Sequence, residues 1–167
     1  MYIRLNSLAT FVWDDLKNDE KIKIYNDRIS EHIRKSDFVK LERKFKDVES
    51  FLDGIILQLS DNFLLIQKID DFLKDGFAII RIDQFENYRC GKYQKTYKKI
   101  LLSENILDDN HIIPSIDLAK WKSIFQSLKK TDFHVIIECE GLDEPTFTIG
   151  PIKRITEKSV SIQNYDP

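Results

Sequence analysis

The segment NYRCGKYQKTYKK (87–99) carries the chain's densest set of chemically capable side chains. It sets Arg89, Lys92, Lys95, Lys98 and Lys99 among Tyr88, Tyr93 and Tyr97. Cations at this density neutralise phosphates, and rings between them can stack on bases. Arg89, Lys92, Tyr93, Lys95, Tyr97, Lys98 and Lys99 are therefore the candidate nucleic-acid-binding residues. The competing reading is an amphipathic helix with its tyrosines inward and its lysines in water. The helical spacing of Tyr93, Tyr97, Ile100 and Leu101 favours that second reading.

Other reactive groups are dispersed. His32, His111 and His134 stand near no serine or cysteine in a nucleophile context, and they read as surface residues. Cys90 and Cys139 form no CxxC, and no histidine lies at metal-ligand spacing from either. They read as reduced thiols, with Cys139 in an apolar run that points to the core. The pairs Asp14-Asp15, Asp70-Asp71 and Asp108-Asp109 fall at expected element ends, where aspartate caps and turns the chain. The glycines are isolated, so no phosphate-cradling loop is present. No catalytic residue, cofactor or metal is expected, and the chain is read as a non-enzyme.

Composition sets the frame for these groups. In 167 residues, 42% are hydrophobic and 32% charged, with 11 Phe, 6 Tyr and only 5 Gly, which describes a packed globular chain. A net charge of -2 argues against a surface that is wholly a nucleic-acid footprint. Apolar runs such as 54–57 and 63–66 are far too short to cross a bilayer, and the first residues lack a signal-peptide pattern. No membrane partner and a cytoplasmic location are expected.

The elements that must position these residues come in duplicate. Shifted by 96 positions, residues 39–70 lie over 135–166 without a gap, and 9 of the 32 positions are identical. These include Val39/Val135, Glu42/Glu138, Phe51/Phe147, Gly54/Gly150, Ile66/Ile162 and Gln67/Gln163. Each copy opens on a helix. Ile22, Tyr25, Ile29 and Ile33 mark the first, and Leu118, Trp121, Phe125 and Leu128 the second, with Ser115 or Asp117 as its cap. Three alternating strands follow, at 38–45, 51–60 and 63–70 and again at 134–140, 147–156 and 159–166. The repeated glycine inside the second strand predicts a bulge or bend. Phe51 and Phe147 are expected in equivalent buried sites. The first copy continues through an Asp75-Gly76 turn, a strand at 77–82, a tight turn at 83–85 and a short strand near 87–89. A further short helix is expected at 7–16, and a loop at 108–111.

A helix followed by five strands, the last one short, resembles the Sm-like variety of small SH3-like β-barrel. DGIILQLSDNFLLIQKIDDFLKDGFAIIRIDQF (53–85) also resembles a group of bacterial proteins that carry paired barrels of this kind. The resemblance implies an α+β fold of two helix-plus-small-antiparallel-barrel repeats, the second incomplete at its C-terminus. Its boundaries fall at 1–18 (N-terminal segment), 19–90 (helix and five-stranded barrel), 91–115 (helical connector) and 116–167 (helix and partial barrel). It brings no activity with it, and the Sm-family RNA-binding motifs are not recognisable. Fold analogy then points to a protein-binding module of immunity, antitoxin or adaptor type, its partner an unknown protein. RNA or single-stranded nucleic acid through 87–99 is the alternative.

Three strands alone leave the second unit with an open edge at 147–156 or 159–165. Three covers are expected candidates: chain beyond residue 167, the first unit or the N-terminal YIRLN (2–6), or a strand from a second copy in a homodimer.

Overall fold

The structure is a computed structural model that describes residues 2–7, 28–45, 48–107, 114–131, 133–139 and 146–164. The helix expected at 7–16, the start of the first helix and the loop expected at 108–111 fall wholly or largely outside these residues. So does the Cys139 side chain.

Strand β1 is Tyr2–Ser7, and residues 28–34 form the described part of helix α1. Strands β2 (Phe38–Phe45), β3 (Val48–Leu59), β4 (Phe63–Asp70) and β5 (Leu73–Arg81) follow. A single 3-10 turn, Ile82–Gln84, leads into β6 (Phe85–Arg89). Helices α2 (Lys92–Ser103) and α3 (Trp121–Lys130) precede β7 (His134–Cys139), β8 (Thr146–Ile155) and β9 (Val160–Ile162).

The fold is α+β, with antiparallel groups of five strands (β2–β6) and three (β7–β9). Strand β1 joins them, running parallel to β5 on one side and to β7 on the other, so the strand order is β6-β2-β3-β4-β5-β1-β7-β8-β9. Neither group closes into a barrel, which corrects the expected closed units. The outer edge of β5 is occupied by β1, with Ile3 opposite Phe77 and Leu5 opposite Ile79, so the sheet continues where a barrel would close. The same strand corrects the expected cover of the second unit. The N-terminal strand does join that unit, but along β7 and not along β9 or β8.

Pairing registers in the two groups follow the 96-residue offset. Val39 faces Gly54 as Val135 faces Gly150, and Glu42 faces Phe51 as Glu138 faces Phe147. Ile56 faces Ile66 as Ile152 faces Ile162, with a register shift immediately after each pair. The bulge therefore sits three residues beyond the glycine. The glycines answer a different demand, which is close approach. A Cβ on Gly54 would lie 2.0 Å from the Gln67 carbonyl oxygen, and one on Gly150 1.9 Å from that of Gln163.

Burial corrects two further expectations. Strand β4 is not half-buried. Phe63, Leu65 and Ile69 enter a core shared with α2, α3, β7 and β8, while Leu64 and Ile66 enter a second core with Ile29, Leu41 and Ile80. A strand covered on both faces reads as an unbroken apolar run, as FLLI does. Phe51 and Phe147 are 47% and 57% exposed, and neither belongs to either core. The β4–β5 hairpin turns at Asp71 and Phe72, both with positive φ (43° and 63°), as a two-residue type I′ turn requires. Asp75-Gly76, expected to turn the chain, lies inside β5, and Gly76 takes the positive φ of a bulge.

Helix α3 buries Trp121, Phe125 and Leu128 on one face, and Leu118 is buried just ahead of it. The helix starts at Trp121 because the Ser123 hydroxyl accepts the Lys120 N–H (3.2 Å) and donates to the Asp117 carbonyl (3.0 Å). The expected caps, Ser115 and Asp117, lie ahead of that point.

Candidate functional site

Helix α2 is where the sequence places its candidate residues, and the structure divides them. Tyr97 turns inward, with its ring between Phe38 (centroids 4.5 Å apart) and Phe72 (4.2 Å), nearly parallel to both. Its hydroxyl accepts the Phe72 N–H at 2.9 Å and so pins a bulky residue in a left-handed conformation. Burial raises the Tyr97 phenol above its ordinary value, against the Phe72 N–H, which acts to lower it. A ring stacked on both faces has no face left for a base.

Lys98 is also engaged. Its ammonium donates to the Lys35 carbonyl (2.8 Å) beyond the end of α1 and lies 3.4 Å from the Asp37 carboxylate. Cations satisfy carbonyls left over at a helix C-terminus in this way. Arg89 forms an ion pair with Glu42. The remaining candidates, Lys92, Tyr93, Lys95 and Lys99, are exposed, Tyr93 to 68%. The amphipathic reading thus holds for Tyr97, Lys92, Lys95 and Lys99, while Tyr93 points outward and Lys98 is half-buried.

Next to Lys98 the fold gathers three groups that the sequence keeps apart. His32 projects from α1, Asp37 stands just before β2, and Cys90 lies between β6 and α2. One ligand atom from each falls within 4.8 Å of the other two, and all three residues are half-buried. His32 Nδ1 donates to Asp37 Oδ2 at 2.9 Å, and the His32 ring meets Tyr88 edge-on at 5.1 Å. Burial, and then the Asp37 carboxylate, push the Cys90 thiol up. At Asp37 burial opposes ionisation, but the His32 bond and the Lys98 ammonium outweigh it and hold the carboxyl below its ordinary value.

Chemically the cluster is an N/O/S donor set with a protonated thiol. A thiol pushed up is a poor nucleophile, so a cysteine–histidine acyl-transfer centre is not supported. A divalent cation could use all three donors. Sequence spacing missed the cluster because Cys90 is brought to His32 only when β6 pairs with β2 and α1 packs on the same side. The one local signal was His32 five residues before Asp37.

A third feature is a free strand edge. Among the described residues β9 pairs only with β8, whereas its counterpart β4 pairs with β3 and β5. Gln163 gives its N–H to the Pro151 carbonyl (3.0 Å). Strand alternation therefore turns the Ile162 N–H and C=O outward.

These features define a small α+β protein with two antiparallel groups of strands and a half-buried mixed donor cluster. No protein-family model, curated protein or solved structure matches the chain. Among the described residues no helix is long and apolar enough to cross a membrane.

Proposed function

We propose that this chain is a non-enzymatic protein-binding module that takes a partner's β-strand along β9. The observation that carries the reading is the outer edge of β9, unpaired among the described residues, at the position where β5 covers β4 in the first unit. Exposed backbone donors and acceptors of an edge strand are a template for strand addition. Val160 is buried while Ser161 is exposed, so an added strand would find one apolar and one polar side.

The finer fold reading belongs with this proposal. The order β6-β2-β3-β4-β5, with a 3-10 turn between β5 and β6 and β6 returning to β2, supports a likeness of the first unit to Sm-like, SH3-like units. The shared registers and turns support an internal duplication, in which the described residues of the second unit form three strands. A duplicated binding-type unit with one edge uncovered suits an immunity, antitoxin or adaptor protein.

A second reading, single-stranded nucleic acid on α2, is favoured by one observation: Tyr93 is exposed beside Lys92. The two readings separate in one experiment. The tagged chain and an Ile162→Pro variant, which removes an outward N–H without touching the β8 ladder, are used to capture protein from cells that make the chain. Capture by the parent and loss in the folded variant is expected. Capture unchanged by Ile162→Pro would overturn the edge proposal. Salt-sensitive retention on a polyanion resin, abolished by replacing Lys92, Lys95 and Lys99 with Glu, would establish the second reading instead.

A further inference from the structure

We infer that His32, Asp37 and Cys90 bind a borderline divalent cation of the zinc class, with solvent in the fourth position. The donors come from three separate segments, the end of α1, the entry to β2 and the β6–α2 junction, yet their ligand atoms lie within 4.8 Å of one another. A tetrahedral cation with bonds of about 2.0–2.3 Å holds its ligands roughly 3.3–3.8 Å apart. The cluster therefore needs contraction of up to about 1–1.5 Å at its widest and slight expansion between His32 Nδ1 and Asp37 Oδ2, now 2.9 Å apart.

Donor chemistry narrows the ion. One imidazole, one carboxylate and one thiol fit zinc or cobalt(II). An all-oxygen shell, which calcium and magnesium prefer, is not on offer. Binding a dication draws two protons from the donors: the thiol proton leaves to solvent so that the thiolate becomes a ligand, and the His32 Nδ1 proton passes through solvent to Nε2 so that Nδ1 can ligate. With three protein ligands and a half-buried setting, a water completes the coordination.

Lys98 sets the strength of the site. Its ammonium, 3.4 Å from Asp37, competes with any cation for that carboxylate. Bound metal would displace it from Asp37 and would tie α1 to the β6–α2 junction, beside the tie that Lys98 of α2 makes to the Lys35 carbonyl.

The test is a cobalt(II) titration of the full chain, followed by absorption. The expected result is one cobalt per chain, a thiolate-to-cobalt charge-transfer band and visible bands of tetrahedral intensity, all removed by competing zinc. Cys90→Ser should abolish the charge-transfer band and weaken binding at least roughly 100-fold, since even outer partners of a metal change affinity by about 10–100-fold. Cys139→Ser should leave the band in place. Lys98→Gln should tighten binding several-fold, a gain that a merely structural lysine would not give. If Cys90→Ser folds poorly, His32→Asn serves in its place, and zinc should raise the thermal midpoint of the parent but not of either variant. Absence of a thiolate band, a band carried by Cys139, or binding indifferent to both Cys90 and His32 would each overturn the assignment.

Discussion

The β3–β4 and β8–β9 connections make the same turn with different side chains around it. Ser60 Oγ accepts the Phe63 N–H at 3.0 Å, and Thr156 Oγ1 accepts the Ser159 N–H at 3.0 Å. In each turn the first residue's N–H also reaches the carbonyl three residues on, at 2.8 Å. Beyond the turn the units part. Phe63 and Leu65 are buried in the larger core, whereas their counterparts Ser159 and Ser161 are half-buried and exposed. Backbone geometry is thus held by a hydroxyl at the turn and a glycine at the close approach. Burial instead follows from what lies alongside: β5 beside β4, and no described strand outside β9. A strand clamped on both sides can be apolar on both faces, whereas an edge strand of that composition would invite aggregation.

The two glycines give the sharpest way to break this comparison. Gly54→Ala drives a Cβ into the Gln67 carbonyl of a strand that β5 prevents from moving, so a cost of about 3 kcal/mol or more is expected. Gly150→Ala meets the same clash against β9, which is free to shift outward, and should cost at least about 1 kcal/mol less. Urea unfolding of both variants measures the difference, and equal costs would mean that β9 is as firmly held as β4.

Core truncation probes burial along the same strands. Leu64 is fully buried, and Leu64→Ala should cost about 2–5 kcal/mol. Its counterpart Val160 loses fewer carbons beside an open edge, so Val160→Ala should cost roughly half as much. A larger loss at Val160 would show that the smaller unit carries more of the fold than its three strands suggest.

Tyr97→Phe keeps the ring stack and removes only the hydroxyl that holds the Phe72 N–H. A loss of about 0.5–1.5 kcal/mol is expected, with the secondary structure unchanged by circular dichroism. No loss would mean that the hairpin turn holds Phe72 by itself.

Phe51 and Phe147 should matter least. Exposed on their strands, each should cost under about 1 kcal/mol on replacement by Ala, with Phe51 the larger because the Lys40 ammonium sits 4.4 Å from its ring centroid.

Asp37 gives a pH-dependent term of similar size. An acid held below its ordinary 3.8 contributes stability above that value and loses it as pH falls through the folded value. Parent and Asp37→Asn should therefore differ by under about 1 kcal/mol at neutral pH, because the group is partly solvated, and converge in acid. A gap that persists at pH below about 3 would assign the effect to packing rather than charge.

Local patterns in the sequence determined much of this. Strands 38–45 and 63–70 fall where the alternation and the turn residues put them, because hydrogen-bonded strand length and turn chemistry are local properties. The Trp121, Phe125 and Leu128 face was legible for the same reason: helical spacing alone aligns those side chains. Tertiary structure decided the rest. Whether Tyr97 faces a ligand or Phe72 depends on a hairpin 25 residues away, and a phenol serves either purpose. Phe51 alternates like a core residue and shares a strand face with Ile55, but only Ile55 lies within the core, and how far a core extends along a strand is set by what packs on it. The His32–Asp37–Cys90 cluster exists only because β6 returns to β2 and carries Cys90 back beside α1. Its donors are ordinary residues at uninformative spacings, since metal geometry constrains distances in space and not along the chain.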